Sequence, residues 1–229
     1  MKTIILSLIA VISIVFALIL TASYQVNDGE VPIVEIAQLG DRVLVVVAHP
    51  DDEIMVSGTL AKLNANGIET GLVYLTRGEA GPTGGLVPQS ELGKARTQEV
   101  LAIKDILGVD FLKIFYFPDS GVPAVPAEEI RLSIRGAIEA FKPTVIIGFD
   151  ETIGLYGHED HRHAGLYLHQ VLKQKKPDDL KAYYMITLPK SMIDLALNMS
   201  SMFRERYSTD PDNGLPSADV AVNMWLYAP

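Results

Sequence analysis

Cysteine is absent from all 229 residues of the chain. That excludes disulfides, thiolate zinc sites, iron–sulfur clusters and a cysteine nucleophile, so any metal must be held by His, Asp or Glu. Basic charge is scarce: Lys+Arg 19 against Asp+Glu 28 gives a formal charge of −9 and a pI near 5.0. A net-negative surface repels phosphate backbones, and no local basic patch offsets it, so nucleic acid is not an expected partner. Aromatics are few, and no internal repeat or low-complexity tract interrupts the chain. A hydrophobic content of 48% excludes a disordered protein, and the length suits one globular domain with an appendage.

The appendage is N-terminal. From Thr3 to Ala22 the chain carries no charge and is dominated by Ile, Leu, Val and Ala. About 20 helical residues at 1.5 Å each span the ~30 Å hydrocarbon core of a bilayer. The run is longer than the usual apolar stretch of a secretory signal, which favours an uncleaved anchor over a cleaved signal peptide. Lys2 precedes the run, and Asp28, Glu30 and Glu35 follow it, so the positive-inside bias puts the remainder outside the cytoplasm, membrane-anchored or secreted. The expected organisation is a signal anchor or signal peptide over 1–22, a linker over 23–40 and a catalytic-sized α/β domain over 41–229.

Within that domain strands and helices alternate. Val43 to Ala48 is a continuous, largely β-branched run, the pattern of a central parallel strand covered on both faces. Further strands are expected over 68–76, 111–117, 144–149 and 182–187. Helices are expected over 52–66 and 90–107, from Pro126 to about Phe141, and over 161–175. The third helix carries a 3.6-residue stripe of Ile130, Ile134, Ala137, Ile138 and Phe141. This alternation predicts an open, mainly parallel, Rossmann-like sheet with helices on both faces. Ligands bind such sheets beyond the carboxyl ends of the strands, at the topological switch point, where the first and fourth strands are the expected neighbours.

The unusual polar residues fall at those two strand ends. Ala48-His49-Pro50-Asp51-Asp52-Glu53 follows the first strand, and Tyr156-Gly157-His158-Glu159-Asp160-His161 follows the fourth. His49, Asp52 and His161 can supply two nitrogens and one oxygen to a zinc ion with a position left open. Adjacent helical residues diverge by about 100°, so Asp51 and Asp52 do not both grip one metal. One ligates; the other serves as base toward a water that the cation acidifies to a pKa near ~7. His158 can stabilise an oxyanion or protonate a leaving nitrogen, and Asp160 can accept from an imidazole and set its tautomer. Each cluster taken singly also reads as a capped turn with surface histidines. No G-x-G-x-x-G follows the first strand, which argues against a dinucleotide site.

These two stretches resemble the A-H-P-D-D-E and Y-G-H-x-D-H signatures of the LmbE-like, or PIG-L-like, zinc-dependent N-acetylglucosamine deacetylases. The resemblance implies His49, Asp52 and His161 as ligands of Zn2+ (or another divalent ion such as Fe2+) and Asp51 as general base. It further implies His158 as the oxyanion-stabilising residue or general acid with Asp160 supporting it, and Tyr156 reaching the substrate carbonyl. Weaker family patterns imply Glu79, Arg96 and Asp119 in the substrate site. The implied reaction is hydrolysis of the N-acetyl group of an N-acetylglucosamine-type sugar or conjugate. The alternatives are a non-catalytic zinc-containing glycan-binding or surface protein, and a hydrolase of another amide or ester. The apolar start of the chain departs from the family pattern, whose members are usually soluble.

Overall fold

The computed structural model describes residues 11–18, 33–188, 190–199, 201, 204 and 221–222. The chain divides into two units, 1–32 with 188–221 and 33–187 with 222–229, and every candidate site residue belongs to the second. Of the apolar N-terminal run, only residues 11–18 are described, as a helix; the remainder of the expected anchor, and most of the expected linker, lies outside the described residues. Among the described residues no helix is long and apolar enough to cross a membrane.

The second unit is built on a five-stranded sheet: β1 (Arg42–Val47), β2 (Glu69–Tyr74), β3 (Phe111–Ile114), β4 (Val145–Phe149) and β5 (Ala182–Ile186). Its spatial order is β3-β2-β1-β4-β5, and every neighbouring pair is parallel. β1 and β4 are therefore adjacent, and the connections on their two sides lead in opposite directions, which makes the gap between them the switch point. Val43 to Ala48 are at most 1% exposed, as expected for a strand covered on both faces.

Four helices connect the strands: α1 (Ser57–Ala65), α2 (Leu92–Leu107), α3 (Ala127–Phe141) and α4 (Glu159–Gln174). α1 packs on β2 beside α2, whereas α3 and α4 pack against each other over β1 and β4. The stripe expected on α3 is the buried one, Ile130, Ile134, Ala137, Ile138 and Phe141. Several bounds differ from the sequence expectation, the strand expected over 111–117 ending at Ile114, and two of the differences shape the site. The helix expected over 52–66 is two pieces, a 3-10 turn over Asp52–Met55 and then α1, separated at Val56. α4 begins at Glu159, not 161, because His158 caps it, its Nδ1 accepting from the Asp160 N–H at 3.2 Å.

Candidate metal and substrate site

His49 stands two residues beyond β1, and Asp52 opens the 3-10 turn that follows. Asp52 is 7% exposed, and its Oδ2 accepts from the backbone N–H of His49 (2.7 Å) and of Ala48 (3.1 Å). The strand end thus folds back onto its own carboxylate, leaving Oδ1 3.1 Å from Nε2 of the fully buried His161. Nδ1 of His49 is 3.2 Å from that same Nε2 and 3.6 Å from Asp52 Oδ2. Bonds of about 2.0–2.1 Å to a tetrahedral zinc ion separate its ligand atoms by roughly 3.3 Å. His161 Nε2 stands at about that spacing from both Asp52 Oδ1 and His49 Nδ1, while His49 lies nearest the other Asp52 oxygen; His49 and His161 also form, with His158, a group whose nitrogens could hold one ion.

The outward nitrogens of both rings are also held. His161 donates from Nδ1 to the Gly154 carbonyl (3.1 Å), an acceptor only, which leaves Nε2 facing Asp52. The His161 ring stacks on Phe149 at 4.2 Å. Nε2 of His49 faces Asp160 Oδ2 (3.0 Å) and Asp119 Oδ1 (3.2 Å), leaving Nδ1 for the centre. Carboxylate–imidazole and carbonyl–imidazole pairs of this kind fix ring orientation at metal sites. Burial alone lowers the affinity of His49 for a proton, but hydrogen bonds to Asp119, Asp160 and Asp52 outweigh it and hold the ring protonated up to about 11. The negative field that retains this proton suits a divalent cation equally. Burial alone raises the Asp119 carboxyl, but the hydrogen bond and charge of His49 bring it down to about 2.

Asp160 corrects one expectation. Its carboxylate hydrogen-bonds the imidazole of His49, while His158 receives its backbone N–H and feels its charge. Its two oxygens also accept from Ser120 N (2.7 Å) and Val122 N (3.2 Å), tying the loop after β3 to the centre. His158 lies 4.8 Å from His49 and 4.9 Å from His161, ring to ring. Burial, and then the charges of those two rings, push its pKa down. With Nδ1 accepting from the backbone, neutral His158 carries its proton on Nε2. Tyr156 lies edge-on to His161 at 4.9 Å. His163 bonds the Glu159 carbonyl and His169 sits beside Glu151, both away from the cluster.

Asp51 stays outside the donor triad. Its side chain is 63% exposed, and its carboxylate accepts from Arg96 at 2.6 Å, an ion pair joining two of the candidate residues. Its φ is 99°, a left-handed conformation uncommon for a non-glycine residue and typical of strained functional turns. The turn is kept by Glu53, whose buried Oε2 accepts from Asp51 N (3.0 Å) and from the Tyr74 hydroxyl (2.9 Å). Glu79 and Asp119 also come together: Asp119 N donates to Glu79 Oε1 (3.1 Å), and Ala80 N donates to Asp119 Oδ2 (2.8 Å). Sequence reasoning missed Tyr74, for which no signal exists, and Asp150, which stands immediately after the buried β4, where an acid is conspicuous.

Comparison with known proteins identifies the family. The family described as PIG-L, GlcNAc-PI de-N-acetylase, matches residues 44–172, more than half of the chain. The chain belongs to the PIG-L family. It is 36% identical over 125 residues to diacetylchitobiose deacetylase of Thermococcus kodakarensis, a match covering 54% of this chain and 46% of that protein. It is 28% identical over 210 residues to a 1D-myo-inositol 2-acetamido-2-deoxy-alpha-D-glucopyranoside deacetylase of Mycolicibacterium vanbaalenii, covering 81% and 74% respectively. The match spans about half the length of most such relatives. In fold, the chain is similar to N,N'-diacetylchitobiose deacetylase from Pyrococcus horikoshii. The TM-score is 0.55 and the identity 22%, over 76% of this chain and 72% of that one.

Proposed function

We propose that this protein is a metal-dependent N-deacetylase that removes the acetyl group of an N-acetylglucosamine-type sugar or conjugate, releasing acetate and a free amine. The observation that carries the reading is the convergence of His49, Asp52 and His161, with nitrogen and oxygen atoms 3.1–3.6 Å apart, and Asp51 left over on the adjacent residue. A zinc ion held by these three donors supplies Lewis acidity and an acidified water. Asp51 takes the proton of the attacking water, and Arg96 holds its carboxylate in place. His158 offers its Nε2–H to the oxyanion, and the proton that Asp51 takes from the water passes to the departing nitrogen so that it leaves as a neutral amine. Tyr156, 4.9 Å from the His161 ring and 6.1 Å from that of His158, is the partner for the substrate carbonyl.

Glu79, Arg96 and Asp119 line the sugar side of the site. The apolar run 3–22 completes the proposal by carrying the domain outside the cytoplasm, anchored or released; its support is the sequence alone.

The test is acetate release from N,N'-diacetylchitobiose and other N-acetylglucosamine conjugates, with and without a chelator. Chelation abolishes turnover, and added zinc restores it. Asp51→Asn keeps the left-handed turn, which asparagine tolerates, but removes the base, so turnover drops at least about 100-fold with zinc still bound. Full turnover by a zinc-loaded Asp51→Asn protein removes the general-base assignment. A zinc-loaded wild type that releases no acetate from any of these sugars favours the non-catalytic alternative.

A further inference from the structure

Asp150 is 4% exposed and follows the last residue of β4. Its carboxylate accepts from four successive backbone N–H groups: Thr152 (3.0 Å) and Ile153 (2.6 Å) at Oδ1, then Gly154 (3.0 Å) and Leu155 (3.4 Å) at Oδ2. The loop so held is one the backbone resists, since Leu155 sits at φ 71° and breaks the helical turn over Gly154–Gly157. The loop acts on the site through Gly154. Its carbonyl takes the Nδ1 proton of His161, which leaves Nε2 facing Asp52.

We propose that Asp150 is a positioning residue for metal binding: it holds loop 152–155, the loop holds the Gly154 carbonyl, and the carbonyl presents Nε2 of His161 to the cation. This rests on the metal-site reading above but concerns affinity for the ion rather than the chemistry performed on sugar. Among the described residues, the hydrogen bonds of the Asp150 carboxylate go to loop 152–155, and no pattern in the sequence assigned it a role.

The experiment uses the full chain, with zinc affinity measured by competition against a chromogenic chelator and Co2+ absorption as the signature of ligand geometry. Asp150→Asn replaces one acceptor oxygen by an NH2 group facing backbone donors. It is expected to weaken zinc binding 10–100-fold, the range for groups that orient metal ligands, and to change the Co2+ visible band. Asp150→Ser keeps one acceptor and should fall between wild type and Asp150→Asn. Asp41→Asn, before the opposite end of β1, should lower stability yet leave zinc affinity unchanged, which separates loss of fold from loss of positioning. Wild-type affinity and an unchanged Co2+ band in Asp150→Asn overturn the inference. Should Asp150→Asn fail to fold, Asp150→Ser decides on the same criteria. A wild-type chain that binds no zinc removes the metal-site reading and this inference together, whereas a zinc-binding wild type with unaffected variants removes this inference alone.

Discussion

At the scale of single residues, the site depends on carboxylates that hold backbone as well as on those that face the centre. Asp52 accepts from two N–H groups at the end of β1, Glu53 from the N–H of Asp51, and Asp150 from four in the loop before His158. The Tyr74 hydroxyl completes the Glu53 arrangement from the end of β2. Burial, reinforced by the charges of Glu53 and Asp52, pushes the Tyr74 pKa up, so it remains a neutral donor. Tyr74→Phe therefore leaves a buried carboxylate with one donor fewer and should cost about 1–3 kcal/mol in urea denaturation. Because Asp51 N shares the same Glu53 oxygen, the variant should also turn over more slowly while binding zinc as wild type does.

At the scale of elements, what matters is how closely α4 approaches the end of β4. Gly165 lies on α4 one turn after His161, where an added Cβ would be 2.5 Å from the Phe149 carbonyl oxygen and 2.8 Å from Asp150 C and O. Backbone there cannot yield as a flexible side chain would. Gly165→Ala should thus displace the first turns of α4 and cost about 1–3 kcal/mol, measurable as a lower midpoint in thermal unfolding. The same shift moves His161, so zinc affinity should fall with stability. The break at Val56 is a second element-scale feature. It lets the 3-10 turn over Asp52–Met55 keep Asp52 in the centre while α1 sets off to cover β2. A 3-10 turn and an α-helix differ by one residue of hydrogen-bond register, and the apolar pattern of 52–66 accommodates both.

At the scale of the sheet unit, the parallel order β3-β2-β1-β4-β5 gathers all candidate groups at one end, and a separate ion-pair network ties the other. Asp41 is buried there and accepts from Lys181 (2.6 Å), Thr144 (2.7 Å) and Gln38 N (3.0 Å), joining the starts of β1, β4 and β5. Burial alone raises its pKa, but the bonds from Lys181 and Thr144 bring it from 3.8 to about 2. A carboxyl whose pKa is lower folded than unfolded stabilises the protein above the unfolded value, and that contribution is lost as pH falls through the folded one. Asp41→Asn should therefore cost about 1–2 kcal/mol at pH 5–7, with the gap from wild type closing between about pH 4 and pH 2. Thermal unfolding across that range checks it.

The sequence by itself determined the α/β class and the switch point, and it singled out the polar residues that the fold brings together there. A strand buried on both faces must be apolar throughout, and polar residues that interrupt two such strands at their carboxyl ends have few places to go but a shared crevice. Only the tertiary structure decided which imidazole each carboxylate supports. His49 meets Asp160 across 111 positions, a pairing set by the adjacency of β1 and β4 and by the depth at which α4 docks. The exchange of Asp160 from His158 to His49 and the pairing of Asp51 with Arg96 arise in the same way, as does the hold of Asp150 on the loop that orients His161. Hydrogen bonds depend on positions within a few tenths of an ångström, and residue order constrains those positions only after the sheet has brought the segments together.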